Sequence, residues 1–391
     1  VRVLFFVCVI DVLGFGILIP LVPYMATRLG ASPAIITPIL GVYSLFQLIA
    51  APIWGSLSDR FGRRPILLTS MLGAAASYLV LYSVTSISGL FIARSLAGFM
   101  AGNIAAAMAY ASDVSKPEDR ARSLGLVGAA IGIGFMIGPA IGGALAGEHL
   151  ATADFKAPAL LAMSLSLLAA LLVLFRLPES HLSRGRSASG TERSRWAMLR
   201  SRPVLRWLTL AALLVIFSQS TVDSTFAIWA MHRYQVGPRT VGLSLLGLAL
   251  VAVFMQTVGV RRLVPVLGEF RFVCLGIACW ILGMFAVGIS QNLTLVLAGL
   301  LLCGIGAGSF NPGAGALASQ EADAHERGAV LGTYQLGSSL ARVLAPFLSG
   351  LVFERLGPGA PFLLGCVVTM QAAWCMLAIR RHLRSPTEIV T

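Results

Sequence analysis

Gly55-Ser56-Leu57-Ser58-Asp59-Arg60-Phe61-Gly62-Arg63-Arg64-Pro65 is a dense knot of charge in a chain that is otherwise apolar. Long apolar runs flank it on both sides. In a membrane protein such a segment reads as a tight loop between two spans, held at the water boundary. Its three arginines place it on the cytoplasmic side, where short loops rich in Lys and Arg are retained.

The rest of the chain fits a polytopic membrane protein. Of 391 residues, 57% are hydrophobic and 12% charged, and the mean hydropathy is +0.86. Soluble domains carry about 25% charged residues, and a soluble fold of this length could not hide so much apolar surface. The net charge of +13 would suggest nucleic acid in a soluble protein. Here the basic residues fall mostly in short loops, and no basic patch with interleaved aromatics is present, so no nucleic-acid partner is expected. Cys8, Cys274, Cys279, Cys303, Cys366 and Cys375 all lie in apolar runs without a C-x-x-C pair. They read as small buried hydrophobes, and no metal site is expected. The first apolar segment carries Asp11, Pro20 and Pro23 and is expected to continue as a span, not to be a cleaved signal. The chain begins almost inside that span, so a short native N-terminus is expected to precede it.

A helix crosses a bilayer with about 20 apolar residues. Twelve candidates run over 3–25, 34–57, 65–84, 87–112, 121–147, 157–177, 204–231, 239–260, 270–289, 292–319, 327–353 and 359–380. The stretch 178–203, rich in Arg, Ser and Gly, reads as a flexible cytoplasmic linker between two six-helix bundles, 1–177 and 204–391, the latter ending in a short cytoplasmic tail. With the N-terminus inside, 22 Lys and Arg fall on inner segments and five on outer loops, which predicts that both termini are cytoplasmic. Ala111-Ser112, Arg120, Gly125 and Pro139 recur as Ala318-Ser319, Arg327, Gly332 and Pro346, all at an offset of 207. Spans 4–5 therefore repeat as spans 10–11. Two related halves in one orientation are a transporter signature, with the substrate site expected at their interface.

Four ionisable side chains fall inside spans: Asp11, Arg94, Asp223 and Arg342. A charge at a helix centre costs roughly 2.5–3.5 kcal/mol on insertion scales, so each should pair or face a wet cavity. Asp11 and Asp223 occupy the equivalent first and seventh spans. The functional reading is a proton site, a substrate charge site, or both; the alternative is ion pairs that only fix packing. Among uncharged groups, Asn103, Gln219, Gln256, Asn311 and Gln335 are polar within spans, and Phe217, Phe226, Trp229 and Tyr334 could supply flat contacts beside them. A drug pocket is mostly apolar with a few polar anchors. The competing reading for the amides is interhelical hydrogen bonding, and for the aromatics core or lipid packing.

The fifth span carries Gly125-x8-Gly134-x3-Gly138-Pro139-x2-Gly142-Gly143. Gly134, Gly138 and Gly142, spaced by four, share one face and permit close helix approach; Gly125 lies about half a turn off that stripe, and Pro139 bends the helix. This pattern resembles the antiporter signature of proton-coupled drug exporters of the major facilitator superfamily. Asp11-x2-Gly14-x-Gly16-x3-Pro20-x2-Pro23 resembles the first helix of that group, particularly of tetracycline exporters. Arg94-x3-Gly98-x3-Gly102 resembles its fourth-helix motif, whose arginine is implicated in proton transfer. Gly55, Asp59, Arg60, Gly62, Arg63 and Arg64 match its conformational latch loop.

The resemblance implies an all-α membrane protein of twelve transmembrane helices in two pseudo-symmetric six-helix bundles. It implies a monomeric, multi-pass inner-membrane antiporter that exports a small amphipathic drug in exchange for protons. The proton gradient is the energy source and no cofactor is needed. It also implies that Asp59 meets the N-terminus of the eleventh helix in one state, where a carboxylate is stabilised; locally, Arg63 lies four residues on and could pair with Asp59. On alignment with the tetracycline exporters, their third-span acid falls at Ser77, their eighth-span histidine near Ala252 and their ninth-span acid near Cys279, whereas Gln256 matches. Asp223 and Arg342 are additions. The proton route is therefore expected to run through Asp11, Arg94, Asp223 and Arg342, with cargo meeting Asp11, Asn103, Gln219, Asp223, Phe226, Trp229, Gln256, Asn311, Tyr334 and Gln335.

Other classes find little support. There is no G-x4-G-K-[S/T], and the only lysines are Lys116 and Lys156, which argues against an ATP-driven pump. H-E-x-x-H and G-x-S-x-G are absent, and His149, His181, His232, His325 and His382 sit at loops or span ends, which argues against an intramembrane enzyme. A receptor on a transporter scaffold is a further remote alternative. Within transport, the rival to drug export is a native metabolite such as a sugar or organic anion.

Overall fold

A computed structural model of the chain describes residues 2–116, 119–180, 195–321 and 326–384. Among these residues there is no strand, and twelve helices are long and apolar enough to cross a membrane. They are α1 Arg2–Arg28, α2 Pro33–Phe61, α3 Arg63–Tyr82, α4 Ile87–Asp113, α5 Arg122–Ala146, α6 Lys156–Arg176, α7 Pro203–Tyr234, α8 Pro238–Leu267, α9 Glu269–Ile289, α10 Leu293–Gln320, α11 Gly328–Leu356 and α12 Ala360–Arg381. Ten coincide with the expected spans to within three residues at either end, while α2 runs four and α8 seven residues past the expected end. A short helix over Arg195–Ser201 lies within the stretch read as a linker; residues 181–194 of that stretch, and 385–391 of the expected tail, lie outside the described residues.

Local chemistry explains the interruptions. Pro20 has no N–H to continue the ladder, and α1 breaks between Leu18 and Leu21. α4 breaks at Ala101 and Gly102. α8 contains a π turn over Met255–Gly259. Ser86 Oγ and Asn292 Oδ1 accept the third-residue N–H at the starts of α4 and α10, at 3.1 and 2.8 Å. The joints α2–α3 and α8–α9 each turn at a glycine with positive φ, Gly62 at 98° and Gly268 at 77°, a conformation that a Cβ disfavours.

The chain divides into two compact units. The first holds α1–α6 together with Phe226–Leu246, the turn joining α7 to α8 and the adjoining helix ends. The second holds the remainder of α7 and α8 with α9–α12. A core in the first unit gathers Leu4, Trp54, Met71, Tyr110 and Val173; one in the second gathers Leu208, Ile277, Phe310, Val330 and Met376. Glycines set the closest helix pairs. A Cβ at Gly138 of α5 would lie 2.6 Å from the Gly16 backbone of α1, and one at Gly276 of α9 would lie 2.8 Å from the Phe310 amide of α10.

Candidate functional site

In the first unit the two intramembrane charges sit apart. Asp11 of α1 accepts a 3.2 Å hydrogen bond from Nδ2 of Asn103. Asn103 begins the second segment of α4, just past the break, where Gly102 lets that helix press on Ala50 and Trp54 of α2. The two residues line a pocket with Cys8, Leu67, Met71 and Val127. Arg94, more than two turns earlier on α4, is only 3% exposed. Gly98 lets α4 lie against the Tyr43 backbone of α2. The Arg94 guanidinium accordingly stands over the rings of Tyr43 and Phe15, 4.9 and 5.4 Å from their centroids. It makes no hydrogen bond and no ion pair among the described residues, and its Nε and Nη1 are sealed from solvent without a partner. Asp11 and Arg94 are thus separately housed, one with an amide and the other with aromatic faces.

In the second unit α7 runs through Ser218, Ser220, Thr221, Ser224 and Thr225, all buried. Three of their hydroxyls are satisfied locally: Thr221, Ser224 and Thr225 each donate to the carbonyl four residues back, at 3.0, 2.9 and 2.6 Å. Ser224 also meets Ser349 of α11 at 3.1 Å, and Ser218 accepts from Trp280 Nε1 of α9 at 2.8 Å. Asp223 is the exposed member of this buried stretch. It has no hydrogen bond or ion pair among the described residues; Arg342 of α11, also exposed, acts on it electrostatically from beyond ion-pair range.

Gln256, Asn311 and Gln335 are exposed in the same unit. Gln256 lies in the π turn, an irregularity found often at functional sites, and Asn311 precedes Pro312 in α10. Gly308, one turn before Asn311, packs on Ala252 and Met255 of α8, which brings those stretches of α8 and α10 together. Gln219 buries an Nε2 that has no partner among the described residues. Tyr334 is 8% exposed. Phe226 and Trp229 belong to the first unit, where both are buried at 3% and 2%, their ring centroids 5.9 Å apart. In this structure they are core side chains.

The charged knot is held in a connected network of polar contacts. Arg63 pairs through Nη1 with Asp59 at 2.5 Å and through Nε with Asp113 of α4 at 3.2 Å, and donates to Ser58 Oγ at 2.6 Å. Glu179, beyond α6, accepts the backbone N–H groups of Arg63 and Arg64 at 2.9 and 3.3 Å and so caps α3. Arg64 reaches the carbonyls of Val173 and Leu174. Arg60 lies over the Phe61 ring. A Cβ at Gly62 would meet the Glu179 carboxylate at 2.8 Å, whereas one at Gly55 would meet nothing within 4 Å.

The α5 glycines serve two seams. Gly134, Gly138 and Gly142 face Val12, Gly16 and Ile17 of α1. Pro139 and Gly143 face Gly242 and Pro238 at the start of α8. Gly125 faces open space. Beyond this helix Glu148 Oε1 accepts the Gly237 N–H at 2.9 Å and the Thr240 hydroxyl at 2.8 Å, while Oε2 accepts the Thr240 N–H at 3.2 Å. The Tyr24 hydroxyl donates to the Val236 carbonyl at 2.9 Å. Glu148 and Glu179 were not singled out by sequence reasoning; their signal is only that each is an acid just past the end of a span. Among the described residues no cluster of His, Cys, Asp or Glu could hold a metal ion.

The profile of the Major Facilitator Superfamily matches residues 4–268 and, in a second overlapping match, 208–390. The tetracycline resistance protein, class G, of Vibrio anguillarum is 31% identical over 343 residues, covering 86% of this chain and 86% of that protein. Multidrug resistance protein 2 of Bacillus subtilis is 29% identical, covering 88% and 86%. Among solved structures, an inward-facing, occupied bacterial homolog of the human lysosomal transporter Spinster superposes with a TM-score of 0.80 at 15% identity, covering 97% and 96%; this likeness concerns the fold.

Proposed function

The chain belongs to the major facilitator superfamily, and on that premise we propose that it exports amphipathic drugs in exchange for protons by alternating access. Members of this family are transporters, not enzymes, and among its relatives are tetracycline and multidrug resistance proteins. The observation that carries the reading is Asp223: a carboxylate left exposed and unpaired on an otherwise buried, hydroxyl-rich stretch of α7. An intramembrane acid held without a hydrogen bond or ion pair is available to a proton or a cationic group, and a purely structural charge would be paired. Asp11, in the equivalent helix of the first half, is the second acid.

In this reading Asp223 binds cargo from the cytoplasm or inner leaflet when deprotonated, helped by Asp11, with the exposed amides of Gln256, Asn311 and Gln335 as polar anchors. The two bundles, 1–177 and 204–391, rock about the site, and the Asp59–Arg63 latch opens and closes. Outside, protons compete for the acids and release the cargo. Arg94 and Arg342 are the basic members of the proposed proton route. The gradient supplies the energy and no cofactor takes part. The protein works as a monomer in the inner membrane, with both termini cytoplasmic; the distribution of Lys and Arg supports that orientation.

The test is purified protein in liposomes under an imposed pH gradient, challenged with a panel that includes a tetracycline and a lipophilic cation. Drug-evoked proton flux in the wild type, lost in Asp223→Asn, is the expected result. The variant should still bind a neutral ligand without pH dependence. Unaltered proton-coupled transport by Asp223→Asn removes that residue from the mechanism. No drug-evoked flux from folded wild type defeats drug export and turns the panel to sugars and organic anions.

A further inference from the structure

Arg94 stands out among the buried charges of the first unit. It is 3% exposed, donates no hydrogen bond and forms no ion pair among the described residues. Burial normally demands both kinds of partner for a guanidinium, because a desolvated charge loses its water and must be repaid by fixed dipoles or a counter-charge. The one carboxylate in the unit's membrane interior, Asp11, is engaged by Asn103. What Arg94 has instead is aromatic. Tyr43 and Phe15 stack on each other with centroids 4.4 Å apart, and both rings lie beneath the guanidinium. Phe135 of α5 adds an edge contact to Phe15 at 5.6 Å.

This arrangement has a chemical consequence. Contact with ring faces stabilises the cation without using its N–H groups, which lie in the guanidinium plane and remain free. A planar cation backed by flat rings, with its donors unspent, matches a planar anion on an aromatic body: the carboxylate takes the donors and the ring joins the aromatic stack. Phe15 and Tyr43 are only half-buried and Phe135 is 37% exposed, so the rings that cover Arg94 themselves reach the surface of the unit. We infer that Arg94, with Phe15 and Tyr43, is a recognition site for the anionic group of an aromatic cargo, so that the cargo is an aromatic acid or a zwitterion and not a simple lipophilic cation. This rests on the transporter reading above and names the chemical class of its substrate.

The test uses wild-type protein in lipid nanodiscs and isothermal titration with 2-naphthoate and its uncharged match, 2-naphthamide. Wild type should bind naphthoate at least about 10-fold more tightly than naphthamide, as a charge-assisted pair with a buried guanidinium requires. Arg94→Gln should reduce that ratio to about one, and Arg94→Lys, which keeps the charge but not the planar fork, should retain part of it. Equal binding of the two probes to wild type, or no binding of naphthoate at millimolar concentration, overturns the inference without any variant. A preference that survives in Arg94→Gln overturns it too. If proton flux falls in that variant while the naphthoate preference stays, Arg94 is a proton relay and not a cargo site. Drug-evoked flux in wild type without a naphthoate preference defeats this inference alone. A naphthoate preference without drug-evoked flux defeats drug export and leaves the anion site standing.

Discussion

Glu269 accepts a 2.6 Å hydrogen bond from Gln320, and the two stand 206 and 207 residues after Arg63 and Asp113, which pair at 3.2 Å. Each pair ties the start of one helix to the end of another directly after a positive-φ glycine, Gly62 or Gly268. The scaffold is therefore duplicated and the chemistry is not. In the first half the link is an ion pair, supplemented by Asp59, Ser58 and the Glu179 cap. In the second it is a carboxylate and an amide.

This difference predicts unequal sensitivity. Arg63→Gln removes two ion pairs and the bond to Ser58, whereas Glu269→Gln replaces a carboxylate by a neutral amide whose oxygen can still accept from Gln320. Partly exposed pairs of this kind contribute only about 0.2–1 kcal/mol each to stability, so both variants should fold. Transport in liposomes should fall by on the order of 10-fold or more in Arg63→Gln, a change of about 1.4 kcal/mol in a barrier or a conformational equilibrium, and stay near wild type in Glu269→Gln. Wild-type flux from Arg63→Gln would reduce the knot to a topological anchor.

The α5 glycines divide into those that touch a backbone and three, Gly125, Gly128 and Gly132, that meet nothing within 4 Å. An alanine methyl at Gly142 would overlap the Ile17 carbonyl of α1, while one at Gly125 would meet nothing within 4 Å. Overpacking of a tight seam costs about 1–3 kcal/mol, and replacing an unobstructed helical glycine by alanine gains roughly 0.8–1.0 kcal/mol. Gly142→Ala should therefore melt below the wild type in detergent, and Gly125→Ala at or above it. Equal melting temperatures would mean that α1 and α5 separate at no cost.

How far the sequence could be read follows from where each signal resides. Spans are legible because a stretch of apolar residues is a local property, and all twelve helices appear where hydropathy put them. The Gly134, Gly138 and Gly142 stripe is legible because helical spacing alone fixes a common face. The contacts of Arg94 are not: its aromatic housing depends on Gly98 bringing α4 onto the Tyr43 backbone, a tertiary contact across 55 residues. Phe226 and Trp229 read as flat contacts beside the polar groups of the spans, but 61% of the most apolar stretch of α7 is buried, and the sequence alone does not say which partner each of its faces meets. Glu148 and Glu179 act on N–H groups 89 and 116 residues away. In sequence they are ordinary loop acids.

Glu148 carries the last prediction. Its carboxylate holds the Gly237 and Thr240 amides and the Thr240 hydroxyl, and so supplies to α8 the side-chain cap that the helix's own preceding residue, a glycine, lacks. Losing such a cap costs about 0.5–2 kcal/mol. Amide exchange at Gly237 and Thr240 should therefore accelerate about 2- to 30-fold in Glu148→Ala if opening is local. Glu148→Gln, which keeps an acceptor oxygen but not the charge, should fall between. The Gly143–Pro238 and Gly242–Pro139 seams lie on other residues and are retained in both variants, so exchange deep in α5 should not change. If the two amides keep wild-type protection in Glu148→Ala, those glycine seams alone hold the turn, and the carboxylate is redundant to them. Acceleration confined to the turn would instead identify Glu148 as its fastening, the part that has to release first whenever the α7–α8 turn leaves α5.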